Sequence, residues 1–294
     1  MDFTVGTDQE VFLKNLQGLV SAIPLIPGTK LDPHPLPSGG TIQRDNVAME
    51  FATPPVKGEK AFVAAIKKCL RESLGFLPED HEASVSPSAL FPEDQLNCPE
   101  AQEFGCEPDY DAWTVSINDP PCARNPQFRS CGGHLHIGHL PDSGTDFLKD
   151  FEGVIKTVKA FDLFLGIPFC MLDSSQEGVA RKELYGKAGC HRPKDYGFEY
   201  RTLSNYWLRS PELVKLVHRL ANHALKLVSK GHIDTLLESV GEEVIRNTID
   251  SGNIEKAKEI YQNVVAKSIP KSIEKQFSKC LEKDFGNLTF EWSL

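Results

Sequence analysis

The stretch GGHLHIGH, residues 132–139, alternates imidazoles with aliphatic side chains. Side chains on a strand point to opposite faces with a period of two. His134 and His136 therefore project from one face, and Leu135 and Ile137 from the other. Three more stretches carry the same pattern. FTVGTDQEVF (3–12) sets Asp8 and Glu10 against Phe3 and Val5. NVAMEFATPP (46–55) sets Glu50 against Val47, Met49 and Phe51. GFEYRTLSNYW (197–207) sets Glu199 and Arg201 against Phe198, Tyr200 and Thr202. Residues 112–118 read as a fifth strand, with Trp113, Val115 and Ile117 opposed to Thr114, Ser116 and Asn118. One-sided alternation belongs to antiparallel sheets, whereas the strands of parallel sheets are continuous apolar runs. The expected fold class is α+β: a mainly antiparallel sheet with one apolar face on helices and one polar face forming a site.

Around these strands, residues 12–22 read as a strand continuation or a short helix, and 24–40 as a Pro/Gly-rich loop. Residues 42–52 read as two strands or one bent strand. Phe62, Ala65, Ile66, Cys69 and Leu70 recur at helical spacing within 58–74, with Lys67, Lys68 and Arg71 outside. Residues 143–166 read as a helix with Phe147, Phe151, Val154, Ile155, Val158 and Phe161 inward. Residues 167–197 read as a long loop, a feature that is usually functional inside a compact domain. Ser210 and Pro211 form an N-cap and first-turn pair. They open a helical tail over 211–230, 234–250 and 253–268, punctuated by Gly231, Gly241 and Gly252. The closing LTFEWSL reads as a strand or an extended arm. The chain is expected to be a single domain, with a sheet-bearing part (1–210) and a helical part (211–285).

The net charge of -9 argues against a nucleic-acid surface, because phosphate backbones call for clustered Lys and Arg. No apolar run reaches the length of a membrane span. MDFTVGTDQE lacks the basic and apolar regions of a signal peptide, so a cytoplasmic protein is expected. Eight cysteines without a CxxC pair suggest free thiols. A zinc site from His134, His136 and Cys131 lacks the usual spacing.

Glu10, Glu50 and Glu199 are hard oxygen donors, suited to magnesium or manganese, with Asp8 and His134 as further ligands. Magnesium is normally shared between carboxylates and substrate phosphates. Arg201 shares a face with Glu199 and can clamp a phosphate oxygen. Arg124, Arg129, Arg181, Lys187 and Arg192 come from loops expected near the same edge. Cations around a metal cluster point to a polyphosphate such as ATP. No GxxxxGK[ST], GxGxxG or GxSxG motif supports a P-loop, a Rossmann fold or a serine hydrolase. Singly, each residue has a plain reading: a solvated acid, a surface base, or, for Cys106, a small buried thiol.

GTDQE (6–10), AMEFATPP (48–55), FGCEPDYDAW (104–113), RSCGGHLHIGH (129–139) and RKELYGKAGCHRPKDYGFEYRTLSNYWL (181–208) occur in this order. Together they resemble the phage-type COOH–NH2 ligase type 2 family of amidoligases, within the glutamine synthetase and glutamate–cysteine ligase superfamily. The resemblance runs over roughly residues 2 to 265. It implies a curved antiparallel sheet with the active site in its concave face. ATP would phosphorylate a carboxylate, and an amine would displace the phosphate to give an amide. Asp8, Glu10 and Glu50 resemble the family's acidic metal strands. His134 and His136 resemble its His strand, one imidazole on metal and the other facing nucleotide. Glu199 and Arg201 resemble its glutamate–arginine strand. The resemblance carries Arg129 and Lys187 over as phosphate or carboxylate contacts, and Lys187 and the loop cation Arg192 are expected to contact the nucleotide. Cys190 and His191 depart from the pattern, where an aromatic residue is expected. His139 reads equally as a supporting or an exposed residue. For the general base, Asp109, Glu103 and a metal-held carboxylate are the candidates. The competing readings are a guanidino-kinase-like phosphotransferase and a non-catalytic nucleotide-binding or virion protein.

Overall fold

The computed structural model describes residues 1–102 and 108–294. Cys106 and Glu103 lie outside the described residues, as does the start of the FGCEPD stretch.

Fourteen strands are described. They are β1 (Thr4–Asn15), β2 (Gly18–Val20), β3 (His34–Pro35), β4 (Thr41–Asp45), β5 (Ala48–Ala52), β6 (Val56–Lys57), β7 (Glu82–Ser84), β8 (Ser88–Leu90), β9 (Tyr110–Asp111), β10 (Ser116–Ile117), β11 (Phe128–Ser130), β12 (Gly133–Gly138), β13 (Cys190–Lys194) and β14 (Gly197–Tyr200). The main sheet runs β10-β9-β13-β14-β12-β1-β5-β4-β3, and β2, β6 and β7 also pair with β1. Strands β8 and β11 form a separate ribbon. Every pairing among the described residues is antiparallel.

The alternation holds where the sheet is central. Phe3, Val5, Val11, Leu13, Met49, Phe51, Leu135, Ile137, Phe198 and Tyr200 all enter the main core. Helices cover that face. They include α1 (Glu59–Leu74), α3 (Phe151–Phe161), α4 (Ile167–Leu172) and α6 (Pro211–Ser229), with the short α2 (Pro99–Gln102) and α5 (Gln176–Arg181) elsewhere. Phe62, Ile66, Val158, Phe161, Leu213 and Val217 are fully buried there. A fully buried side chain of this kind contributes about 2 kcal/mol relative to exposure. A second, smaller cluster of Phe12, Val47, Ala48, Phe91, Leu96, Ala101 and Cys131 lies apart from the main core. Phe12 shares the parity of Asp8 and Glu10, so this cluster bounds the polar face at one end. Val47 belongs to it, and not to the face of Met49 and Phe51.

Four local expectations are corrected. Residues 112–118 do not form a strand. Asp111 Oδ1 accepts from the Trp113 amide at 2.7 Å and Oδ2 from Thr114 Oγ1 at 2.9 Å. This aspartate-centred turn competes with the ladder. It puts Val115 at φ 54° and joins β9 to β10 as a hairpin. Trp113 is buried, while Val115 and Ile117 are exposed. Residues 167–197 are not one long loop, because α4, α5 and β13 fall within them. The expected helix over 143–166 begins as a 3-10 turn, Asp146–Lys149, and continues from α3 through a π-helical turn, Asp162–Gly166, into α4. Phe151, at the first turn of α3, faces solvent. The closing residues form a helix, α12 (Leu288–Trp292), capped by Asn287 and anchored by the buried Trp292.

The tail comprises α6, α7 (Ile233–Val240), α8 (Glu242–Ser251), α9 (Ile254–Ile260), α10 (Ala266–Ser268), α11 (Lys271–Glu282) and α12. Ser210 Oγ caps α6 by accepting from the Leu213 amide. The described cysteines are all free thiols. No helix among the described residues is long and apolar enough to cross a membrane.

Candidate active site

The register converts the sequence alternation into rows of facing side chains. Gln43 lies opposite Glu50, and Glu50 opposite Glu10, across β4, β5 and β1. Asp8 lies opposite His134 across β1 and β12. His136 lies opposite Glu199, and Glu199 opposite Arg192, across β12, β14 and β13. Directly opposed residues hold their Cβ atoms about 5 Å apart. The expected residues therefore meet because the sheet is in this register.

They gather in two neighbouring groups. In the first, oxygen or nitrogen atoms of Asp8, His136 and Glu199 lie within 4.8 Å of one another. His134 Nδ1 is 2.9 Å from Asp8 Oδ1 and 3.6 Å from Glu199 Oε1. Arg201 Nη1 donates to Glu199 Oε1 and lies 3.1 Å from His134 Nδ1. Arg192 Nη1 and Lys194 Nζ approach the Glu199 carboxylate at 3.5 and 3.4 Å. Burial and Asp8 push the Glu199 carboxyl up, but Arg201, His134 and His136 outweigh them and hold it below its ordinary value. Burial also opposes ionisation of Asp8, yet His134 and His136 hold it well below. Burial disfavours the His136 cation, and Asp8 more than compensates.

In the second group, carboxylate oxygens of Glu10, Asp45 and Glu50 lie within 4.8 Å of one another. Burial, followed by the charges of Asp8, Asp45 and Glu10, raises the Glu50 carboxyl well above its usual range. Burial and Glu10 raise Asp45, although Lys30 sits 2.7 Å from it. Glu10 Oε2 accepts from the Gly132 amide at 2.6 Å, and Glu50 Oε2 accepts from Gln43 Nε2 at 2.9 Å.

Both groups suit a divalent cation. The second is all oxygen, and the first adds an imidazole, which matches magnesium or manganese better than zinc. Asp8 Oδ1 and His136 Nε2 are buried atoms without a directed hydrogen bond. His134 Nδ1 cannot donate to Asp8 and accept from Arg201 at once. That conflict, together with the elevated Glu50, is the arrangement a bound cation relieves. Cys131 is in neither group, and burial pushes its thiol well up, which disfavours a zinc thiolate.

The basic residues divide. Arg192 and Arg201 reach the cluster. Arg129 does not point a free fork at it: its Nε donates to Asn46 Oδ1, and its Nη atoms donate to the carbonyls of Pro126, Phe128 and Ala101. Arg181, fully buried, donates to the carbonyls of Cys131, Thr202 and Arg201. It braces β14 against the His strand. Arg124 and Lys187 are exposed. His191 is buried, with Nδ1 2.9 Å from the Gly189 carbonyl, and burial lowers its pKa. Burial pushes the Cys190 thiol well up. His139 is half-buried.

Asp45, Gln43, Lys30, Lys194 and Tyr196 join the site without having been anticipated. Gln43 and Asp45 alternate with the fully buried Ile42, a signal that was readable in TIQRD. Tyr196 OH meets His136 Nδ1 from the β13–β14 turn. Behind the sheet, Asp162 on the π-helical turn ties the elements together. Its carboxylate accepts from Trp113 Nε1, the Gly189 amide and Tyr200 OH at 2.6, 2.6 and 2.7 Å. Gly189, at φ 78°, has no room for a side chain: a Cβ there would lie 2.3 Å from Asp111 Oδ1.

A sequence model of the phage phiEco32-like COOH.NH2 ligase-type 2 family matches residues 123–272, just over half of the chain. The chain belongs to that family. The part matching this ligase-type 2 family contains β12, β13 and β14, and hence His134, His136, Arg192, Glu199 and Arg201. Asp8, Glu10, Asp45 and Glu50 lie before it. No curated protein matches the chain. Among solved structures, a bifunctional glutathione synthetase from Pasteurella multocida aligns at 14% identity and a TM-score of 0.42, over 96% of this chain and 52% of the other. This chain thus spans about half the length of that synthetase. A glutamine synthase homolog aligns at 13% identity and a TM-score of 0.34, over 95% of this chain and 71% of the other.

Proposed function

We propose that the protein is an ATP- and magnesium-dependent carboxylate–amine ligase that forms an amide through an acyl phosphate. The observation that carries this reading is the convergence, on one sheet face, of two carboxylate-rich groups with Arg201, Arg192 and Lys194. A carboxylate is a poor acyl donor because its leaving group is an oxide. Transfer of the γ-phosphoryl group gives it a good one. Positioning and charge neutralisation are most of what that transfer requires.

In this reading Glu10, Asp45 and Glu50 hold one divalent ion. Asp8, His136 and Glu199 hold a second, with His134 beside them. Bound ions of this kind neutralise charge on the polyphosphate and on the acyl phosphate. Arg201 and Arg192 bind the transferring phosphoryl or the acyl carboxylate, as fork-shaped donors do. Lys194 adds a point charge at the same carboxylate. Lys187 is exposed and lines a neighbouring cleft with Asp109 and Asp119, so it is left out of the phosphate-binding set. Arg129 is left out of the reacting set, because its donors are directed at loop carbonyls, and is assigned to bracing.

The test is hydroxylamine trapping. The protein is incubated with ATP, magnesium and a panel of small carboxylates, and hydroxamate is read by mass spectrometry, with Glu199→Gln as the control. A hydroxamate that disappears in the variant supports carboxylate activation and names the acyl donor. A stable phosphorylated product without hydroxamate favours the phosphotransferase. An absence of nucleotide turnover under every condition rejects both enzymes.

A further inference from the structure

Beside the metal-type groups lies a cleft of about 300 Å³, bordered by Asp109, Ile117, Asn118, Asp119, Leu184 and Lys187. We infer that this cleft binds the amine substrate, as an ammonium group carrying an apolar body. Its role as the amine pocket rests on the ligase reading above, whereas the class of ligand rests on the cleft itself.

Three observations carry it. First, the acidic and basic side chains on the described lining are two carboxylates, Asp109 and Asp119, and one ammonium, Lys187, beside Tyr185 and Cys190. Lys187 and Asp119 are exposed and Asp109 is mostly enclosed, with its side chain 12% exposed, so the charged lining group that faces the interior of the cleft is a carboxylate, backed by Arg201. Low-dielectric walls sharpen such a field and select a cation. Second, Asp109 Oδ1 is buried and makes no hydrogen bond. A buried carboxylate oxygen in that state wants a donor, and an ammonium supplies three. Third, Asp109 Oδ2 lies 3.7 Å from Arg201 Nε, and Arg201 in turn holds Glu199. The cleft therefore opens beside the place assigned to the acyl group. The opposite charge preference sits across Arg201, where Arg192, Lys194 and Arg201 suit the anionic carboxylate and its phosphate. The two substrates would enter from the two sides of one arginine.

Ile117, Leu184 and two prolines, Pro120 and Pro121, give the outer cleft an apolar wall. Its volume admits a body of several carbons, so the acceptor is larger than ammonia. Asn118 is held by its amide to the Asp109 carbonyl at 2.7 Å, which fixes the Asp109 segment against that wall.

The chemistry balances. The bound R–NH3⁺ gives one proton to the Asp109 carboxylate, which passes it to solvent. The nitrogen lone pair forms the C–N bond at the acyl carbon, and the C–O bond to phosphate breaks. Phosphate departs with that electron pair and takes the second N–H proton.

The test uses n-butylammonium and butyrate as probes on the full chain without nucleotide, with binding followed by ligand-observed NMR. Saturable n-butylammonium binding is expected, weaker by roughly tenfold in Asp109→Asn, as loss of one charge-assisted contact implies. Asp119→Asn, at an exposed position, is expected to weaken it about threefold, and Lys187→Ala to leave it equal or tighter. These two variants keep the test decisive if Asp109→Asn does not fold. Preference for butyrate, indifference to both aspartate substitutions, or no saturable ammonium binding would overturn the inference. Ammonium binding that survives alongside a failed hydroxamate assay would reject the ligase reading and support the ligand class of the cleft.

Discussion

Glu10 and Glu50 face each other directly across β1 and β5. Like charges placed opposite on a sheet are destabilising, and Asp45 adds a third carboxylate within reach. Burial and these neighbours already push the Glu50 carboxyl well up. Removing its charge should therefore stabilise the metal-free protein. Glu50→Gln is expected to add about 1 kcal/mol, or roughly 3 °C in Tm for a chain of this size. Manganese should raise the Tm of the wild type, and the variant should lose the part of that effect supplied by the Glu10, Asp45 and Glu50 group while keeping the part supplied by Asp8, His136 and Glu199. Thermal melts with and without manganese decide it. A variant that is less stable without metal, with the manganese shift intact, would contradict the cation assignment.

Asp162 gives a pH dependence of known sign. Burial raises its carboxyl from 3.8 to about 7, against the donors Trp113, Tyr200 and Gly189. Below 3.8 the group is protonated in both folded and unfolded chains. Between the two values the folded protein holds a proton that the unfolded chain has lost, so stability falls as the pH rises. The loss is complete above about 7 and amounts to about 4 kcal/mol at most. Asp162→Asn should flatten this slope. Its Oδ1 can accept from Trp113 and Gly189 while its amide donates to the hydroxyls of Tyr200 and Thr202. Urea denaturation at pH 5 and pH 8 measures both proteins. Equal slopes would show that Asp162 is ionised throughout.

Arg129 and Arg192 separate bracing from chemistry. Arg129→Ala leaves the carbonyls of Ala101, Pro126 and Phe128 without their donor. A buried group stripped of its partner costs about 1–3 kcal/mol, so the Tm should fall clearly. Arg192→Ala removes a charge 3.5 Å from Glu199, which keeps Arg201 and Lys194, and should lower the Tm less than Arg129→Ala does. Hydroxamate formation should drop at least tenfold in Arg192→Ala. The reverse ranking of the two variants would reassign the roles.

The central sheet was legible because burial on one face forces strict alternation in β1, β5, β12 and β14. The shared face of the candidate residues was legible for the same reason: once Leu135 and Phe198 are inward, His134, His136 and Glu199 must be outward. Alternation failed where a side chain bonded to its own backbone. Asp111 turned an apparent strand at 112–118 into a hairpin. The pairing of Glu199 with β13 is not written in either segment alone, so Arg192 read as a loop base and not as the residue facing Glu199, and Lys194 was not singled out. Asp45 was missed because β4 is short and near the edge, where Arg44 interrupts the apolar face. The two-group arrangement of the carboxylates depends on register, and a list of strands does not contain it.

The C-terminal helix offers the last test, since LTFEWSL reads as extended and is helical. Asn287 caps it, its side chain accepting from the Phe290 amide at 2.9 Å. Trp292 is 1% exposed, and its Nε1 donates to the Leu208 carbonyl at 2.7 Å. One residue earlier, Trp207 Nε1 donates to the Gly133 carbonyl at 3.0 Å, at the start of the His strand. The helix thus backs the segment that sets where β12 begins. Trp292→Ala is expected to cost about 4 kcal/mol, as large-to-small changes in a core do. Phe290, 78% exposed on the same helix, is the control. Its replacement by Ala should change stability by less than about 0.5 kcal/mol. Denaturant melts of the two variants give the comparison. Equal effects would mean that the helix is not docked through Trp292.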